Sequence, residues 1–259
     1  MTRKFLTRNL ANALLGAIVL TPFAAAHADQ LLNITYFQIA HSDNDGGRLC
    51  CSNSSNYVQS TLGVNGLPVL NPGGENGPVP DDVLGDGELT WWSPTLNNGG
   101  SGGSSDVTQT GTGTVSIPYA NNDFYSPNGT GSNDSTYYQA AIMWGTLSVP
   151  SPETVSFTLS SDDMAFVYIN GQIVCDDGGV HGASPTNCTS VVLSGSNNTI
   201  ELFYVDLDPS GAALDFTINT AGINTAPPPA TPEPATFTLL GSGLLGLAGV
   251  VRRKIGSGT

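Results

Sequence analysis

Two adjacent carboxylates, Asp162 and Asp163, stand where one apolar strand-like run ends and the next begins, in VSFTLSSDDMAFVYING over residues 155–171. Consecutive side chains on an extended chain point to opposite faces. Both can therefore seize one ion only if the backbone between them turns sharply. A cis peptide would do this at a cost of about 2.5–4 kcal/mol for a non-proline bond, which metal binding can offset. An all-oxygen donor set favours Ca²⁺ over Zn²⁺, and the ~6–8 ligands that Ca²⁺ takes can include backbone carbonyls and the hydroxyls of a bound sugar. Adjacent carboxylates are poorly placed for hydrolysis of a glycoside, where the acid and its partner flank the bond at about 5–9.5 Å. The simpler reading of Asp162 is a turn or cap carboxylate that bonds its own backbone.

Other carboxylates follow. Asp176 and Asp177 precede Gly178 and Gly179, and the pair reads as a solvated turn, with the rim of the same pocket or a second ion site as the alternatives. His41, Asp43 and Asp45 in HSDNDGG are spaced like half a calcium loop but lack the bidentate Glu that completes an EF-hand, so a loop turn is expected there. Cys50, Cys51, Cys175 and Cys188 allow three pairings. Either Cys50 bridges Cys51 and Cys175 bridges Cys188, or two cross-links tie the N-terminal loop to the 175–188 loop. The strain of a vicinal ring favours the cross-links.

The elements that must position these residues are strands. Runs at 31–40, 114–119, 137–149, 154–160, 165–171, 190–195, 199–207 and 213–220 are rich in apolar residues, and several alternate with polar ones, as at Val155, Phe157, Leu159 and at Ile200, Leu202, Tyr204. Asn170-Gly171 is a hairpin signal. No segment of this region has a helical period. The expected fold is all-β, an antiparallel β-sandwich of jelly-roll type with long loops. Residues 71–135 concentrate Gly, Asn, Ser, Pro and Asp and read as loops, interrupted at Leu89–Trp92 and Val115–Tyr119. Trp91, Trp92, Tyr137 and Tyr138 are candidates for stacking on sugars, while Trp144 is expected in the core.

The two ends read as addresses. Arg3, Lys4 and Arg8, an apolar run from Leu10 to Ala26 and the small-residue pattern Ala26-His27-Ala28 form a secretory signal peptide over 1–28, to be removed by signal peptidase. Export makes the surroundings of the cysteines oxidising. A body of 29–222 and a Pro-rich linker of 223–231 lead to a tail of 232–259, in which 235–251 is apolar and just long enough for a transmembrane helix, with Arg252, Arg253 and Lys254 on the cytoplasmic side. The chain of 259 residues carries a net charge of −14, and its only base between Asp29 and Pro234 is Arg48. Recognition of nucleic acid through a basic patch is excluded.

Pro232-Glu233-Pro234, the apolar run and the Arg252-Arg253 cluster resemble the PEP-CTERM tail of exported bacterial proteins. That resemblance implies transient inner-membrane anchoring, cleavage by an exosortase, and delivery to the cell surface or an extracellular polysaccharide matrix. The body resembles the protective-antigen-type β-sandwich module, in particular its fibro-slime branch. The likeness rests on Ser161-Asp162-Asp163, the strand after it, Asn170-Gly171, GGVHG at 178–182, and the Phe203-Tyr204 strand with Gly211-Ala212. It implies that Asp162 and Asp163 form a cis-linked pair holding Ca²⁺, which in turn coordinates vicinal sugar hydroxyls. The further side-chain ligand, Asn in the adhesins of this family, corresponds to Asp206, with Asp208 and Ser210 as carbonyl donors. His181 matches the GGVHG pattern and joins Asp162 and Asp163 as a carbohydrate-binding candidate, with a loop-fixing hydrogen bonder as its simpler role. The expected function is a non-enzymatic, exported, Ca²⁺-dependent glycan-binding or adhesive module; the alternative is a biofilm-matrix protein in which calcium only stabilises.

Overall fold

A computed structural model of the chain describes residues 30–46, 49, 53–99, 104–126, 129–130 and 136–226. The signal peptide, Cys50, Cys51, Arg48 and everything from 227 onward, with the sorting tail and its apolar helix, lie outside the described residues. Those described contain no helix.

Thirteen strands follow in order: β1 (Gln30–Ala40), β2 (Val107–Ile117), β3 (Tyr119–Asn121), β4 (Phe124–Tyr125), β5 (Gly129–Thr130), β6 (Tyr137–Val155), β7 (Phe157–Asp162), β8 (Met164–Ile169), β9 (Gln172–Asp177), β10 (Ser184–Thr186), β11 (Val191–Asp206), β12 (Ala213–Ile218) and β13 (Asn224–Ala226). The larger sheet runs β2-β1-β6-β11-β8-β9, with β13 also paired to β6; the smaller runs β10-β7-β12-β3. All these pairings are antiparallel. The fold is thus an all-β antiparallel sandwich, as the alternating runs require. One apolar core, with Ile34, Met143, Val167, Leu202, Tyr204, Leu214 and Phe216, fills the space between the sheets.

The other face of the larger sheet is also covered. A second core joins Phe37, Phe166, Phe203 and Val205 to Tyr57, Val58, Leu67, Leu70, Leu89, Trp91 and Trp92 from the long segment between β1 and β2. This corrects the loop reading of residues 71–99. The segment lacks strand period because it runs as turns and isolated bridges, such as Val69 to Glu88 and Ser54 to Gly178, yet it carries large apolar side chains at intervals and buries them on the sheet. Trp91 and Trp92 are 0% and 2% exposed and Tyr138 is 2% exposed. They are core residues, and of the proposed stacking aromatics only Tyr137 stays open, at 41%. Trp144 is half-buried, on the face opposite its strand neighbours Met143 and Gly145. With both faces covered, every residue of β8 is buried.

Two further departures are local. The Thr-Gly run around Gly111 and Gly113 is part of edge strand β2, paired to β1 from Gln30 to Ile39; without large side chains it gave no apolar period. At the other end, β13 extends the sheet past residue 222 through Ala226. The Asn170-Gly171 hairpin forms as read: both residues have positive φ, 52° and 71°, the geometry of a two-residue turn between β8 and β9.

Candidate functional site

β7 ends at Asp162 and β8 begins at Met164, so Asp162 and Asp163 occupy the crossing from the smaller sheet to the larger. The peptide between them is cis. β11 pairs with β8 through Val205 and Met164, which delivers Asp206 at the strand end to the same place. Carboxylate oxygens of Asp162, Asp163 and Asp206 lie within 4.8 Å of one another.

Asp163 is 1% exposed and is held by backbone donors. Leu207 N donates to its Oδ2 at 2.7 Å, Asp208 N to the same oxygen at 3.0 Å, and His181 N to Oδ1 at 3.1 Å. Asp206 is 0% exposed, and its Oδ1 accepts from Asp208 N at 3.2 Å. Asp162 is half-buried and is the member that reaches the surface. Burial first, then the charge of Asp163, pushes Asp162 up to about 7. Burial also raises Asp163, aided by the charge of Asp208 and against the pull of the Leu207 and His181 amides and of Asp206. A buried trio of like charges favours a proton or a cation.

The loop after β11 is shaped to this trio. Gly211 has φ of 102°, and a Cβ there would lie 2.7 Å from Asp162 Oδ2, so any side chain would be strained and would push into the carboxylate. The Asp208 carboxylate accepts from Ser210 Oγ at 3.0 Å and is not one of the trio. Tyr204 ties the site to the core: its hydroxyl donates to Asp162 O at 2.6 Å, and its ring packs against Phe124 at 4.8 Å.

The structure revises the reading of Asp176-Asp177. Asp177 is 1% exposed, and Asp176 accepts from Val58 N at 3.1 Å. The covering segment closes over them, with Ser54 bridged to Gly178, so the carboxylates are not in a solvated turn. Asp177 Oδ2 accepts from Ser161 Oγ at 2.7 Å, and its Oδ1 lies 3.4 Å from His181 Nε2. The His181 ring thus faces Asp177, whose carboxylate raises its pKa. Its contribution to the trio is the backbone N–H on Asp163. Cys175, on β9, is bonded to Cys188, which overturns the preferred cross-links to the N-terminal loop. The two cysteines flank the loop that carries His181. Cys50 and Cys51 lie outside the described residues.

A second acidic trio joins Asp43 and Asp45, which the sequence reads as a loop turn, to Asp82, which it does not single out. Asp43, Asp45 and Asp82 are all buried, and their carboxylate oxygens also lie within 4.8 Å of one another. Burial and the adjoining Asp82 push Asp43 up to about 8. Asp82 sits 37 residues from Asp45 in a stretch with no recognisable ligand spacing, so only the folded chain unites them. Tyr138 stands between the two trios: burial raises its hydroxyl pKa, and the charges of Asp208, Asp206, Asp43 and Asp163 add to this.

The family described as PA14 domain matches residues 107–228. The PEP-CTERM protein-sorting motif matches residues 230–254. Among solved structures, a PA14 sugar-binding domain from an RTX adhesin is similar over 77% of this chain and 96% of that one, at 15% identity and a TM-score of 0.38. The PA14 domain of an antifreeze protein is similar over 80% and 98%, at 13% identity and 0.35. An α-xylosidase from Xanthomonas citri is similar over 42% of this chain and 12% of that one, at 19% identity and 0.32. No curated protein matches the chain.

Proposed function

We propose that the chain, whose residues 107–228 match the PA14 domain family and whose residues 230–254 match the PEP-CTERM protein-sorting motif, is an exported, non-enzymatic glycan-binding module that works through Ca²⁺. The observation that carries this reading is the trio of Asp162, Asp163 and Asp206 at the junction of the two sheets. Ligands on opposite sides of a Ca²⁺ ion at ~2.3–2.6 Å are up to about 5 Å apart, so oxygens all within 4.8 Å of one another suit one ion. Calcium would neutralise the cluster and offer its open coordination positions to vicinal sugar hydroxyls. Asp163, fixed by three backbone N–H groups, sets the position; Asp162, the exposed member, borders the sugar; Asp206, in place of the amide of related adhesins, adds charge that strengthens the ion. Exosortase would remove the tail that begins at Pro232-Glu233-Pro234, and the product would act on extracellular polysaccharide.

A second reading is favoured by one feature: Asp163 and Asp206 are almost fully buried, as in an ion that only knits loops. Glycan-array binding by the purified chain, with and without chelator, separates the two. Expected is binding that chelator abolishes and that Asp162→Asn lacks. Calcium stabilisation without any glycan bound selects the structural role, and chelator-insensitive glycan binding overturns the calcium reading.

A further inference from the structure

We infer that Asp43, Asp45 and Asp82 form a second calcium site, separate from the one at Asp162, which clasps the covering segment onto the end of β1. The chain leaves β1 at Ala40 and turns at once, Asp43 N donating to Ala40 O at 2.8 Å. Asp43 Oδ1 then accepts from Asp45 N at 2.7 Å. Asp45 is held on both oxygens: Oδ1 accepts from Asp81 N at 2.7 Å, and Oδ2 from Asp82 N at 3.1 Å and Trp91 Nε1 at 3.0 Å. It therefore orients the other two carboxylates and fixes the distant loop against them.

These bonds leave Asp43 Oδ2. The residue is 6% exposed, and this oxygen is buried without a hydrogen-bond partner, while the ligand oxygens of the trio lie within 4.8 Å of one another. A buried acceptor with nothing to accept from calls for a specific counterpart. Asp82 brings another carboxylate to the same spot from 37 residues beyond Asp45, supplying across the fold what the incomplete loop HSDNDGG lacks in sequence. Three hard oxygen donors on irregular loops suit Ca²⁺, whose coordination is flexible, better than the strict octahedron of Mg²⁺. The destination outside the cell supplies calcium at the concentrations that such modest sites use.

Terbium, which replaces calcium and emits when tryptophan near it is excited, tests this on the full-length chain. Trp91 touches Asp45, so an ion held here lies within reach of its indole. Wild type is expected to take two equivalents. Asp43→Asn, which keeps the size and the Oδ1 acceptor, loses one of them and the greater part of the tryptophan-sensitised emission; Asp162→Asn keeps that part. A single equivalent that survives in Asp162→Asn and vanishes in Asp43→Asn supports this site while refuting the first one. Two equivalents retained in both Asp43→Asn and Asp82→Asn overturn the proposal. So does wild type that binds nothing here when Arg48→Gln does, because that base then supplies the counter-charge.

Discussion

At the scale of single residues, the carboxylates at the sheet junction differ in what they hold. Asp163 accepts from three backbone N–H groups, so Asp163→Ala leaves three donors unmet and should cost on the order of 3 kcal/mol even without calcium. Asp162 is exposed enough to be changed cleanly. Asp162→Asn should remove the share of the calcium-dependent rise in melting temperature that its own site supplies, about 2.7 kcal/mol at a hundred times Kd, and keep the share of the Asp43 site, while the calcium-free protein melts no lower; Asp123→Ala, at an exposed bend, should keep the full response. A pH series of thermal melts gives a second check. Asp162 at about 7 and Asp43 at about 8 are raised above the usual carboxylate value, so between pH 4 and 8 the folded state binds more protons than the unfolded one. Calcium-free protein should then lose stability as pH rises through that window. With saturating calcium the loss should shrink or reverse, since the ion needs the deprotonated form. The sharp turn between Asp162 and Asp163 was legible because two acids in tandem at a strand junction admit few readings. Asp82 was not legible, since its partners come from a loop that only tertiary packing places beside it.

Elements show the same division. Asn170-Gly171 announces its hairpin through backbone preference alone, and the alternating runs announce the sandwich. The covering segment between β1 and β2 did not announce itself, because burial there depends on Trp91, Trp92 and Leu89 finding a sheet whose far face the alternation had left unassigned. Trp92 links this segment to the site: its Nε1 donates to Tyr204 O at 2.7 Å, and Tyr204 reaches Asp162 O. Trp92→Phe should cost about 1–2 kcal/mol in denaturant unfolding and weaken calcium binding, whereas a merely space-filling Trp92 would change stability alone. The disulfide from Cys175 to Cys188 closes a loop with a separation of 13 residues. Replacing both cysteines by alanine should lower stability by roughly 3 kcal/mol in the chain-entropy view, with the His181 loop the first to exchange amide hydrogens. Its pairing was misjudged because the strain of a vicinal Cys50-Cys51 ring was weighed more heavily than the short separation of Cys175 and Cys188.

Across the whole molecule, charge and connectivity matter most. Nineteen of the 21 acidic residues lie between Gln30 and Ala226, against Arg48 alone. Self-repulsion of this body should make calcium-free protein gain stability from sodium chloride through screening; a calcium effect at matched ionic strength that is no larger than sodium's would exclude specific sites. Intact mass of the protein from its host should show both ends trimmed, with Arg252 and Arg253 gone. The path of β6 adds a consequence of its own. Near the start of that strand Gln139 lies beside Asp206, and at its middle Thr146 pairs with Ala226, the last residue before the Pro-rich stretch. Gln30 enters the fold close to this midpoint, its Nε2 donating to Ile223 O at 2.7 Å. Seven residues of strand, roughly 24 Å, thus separate the carboxylates from the point of exit. In a chain held by its C-terminal side, the carboxylates would stand about this far along the strand from the point at which the body leaves for its tether.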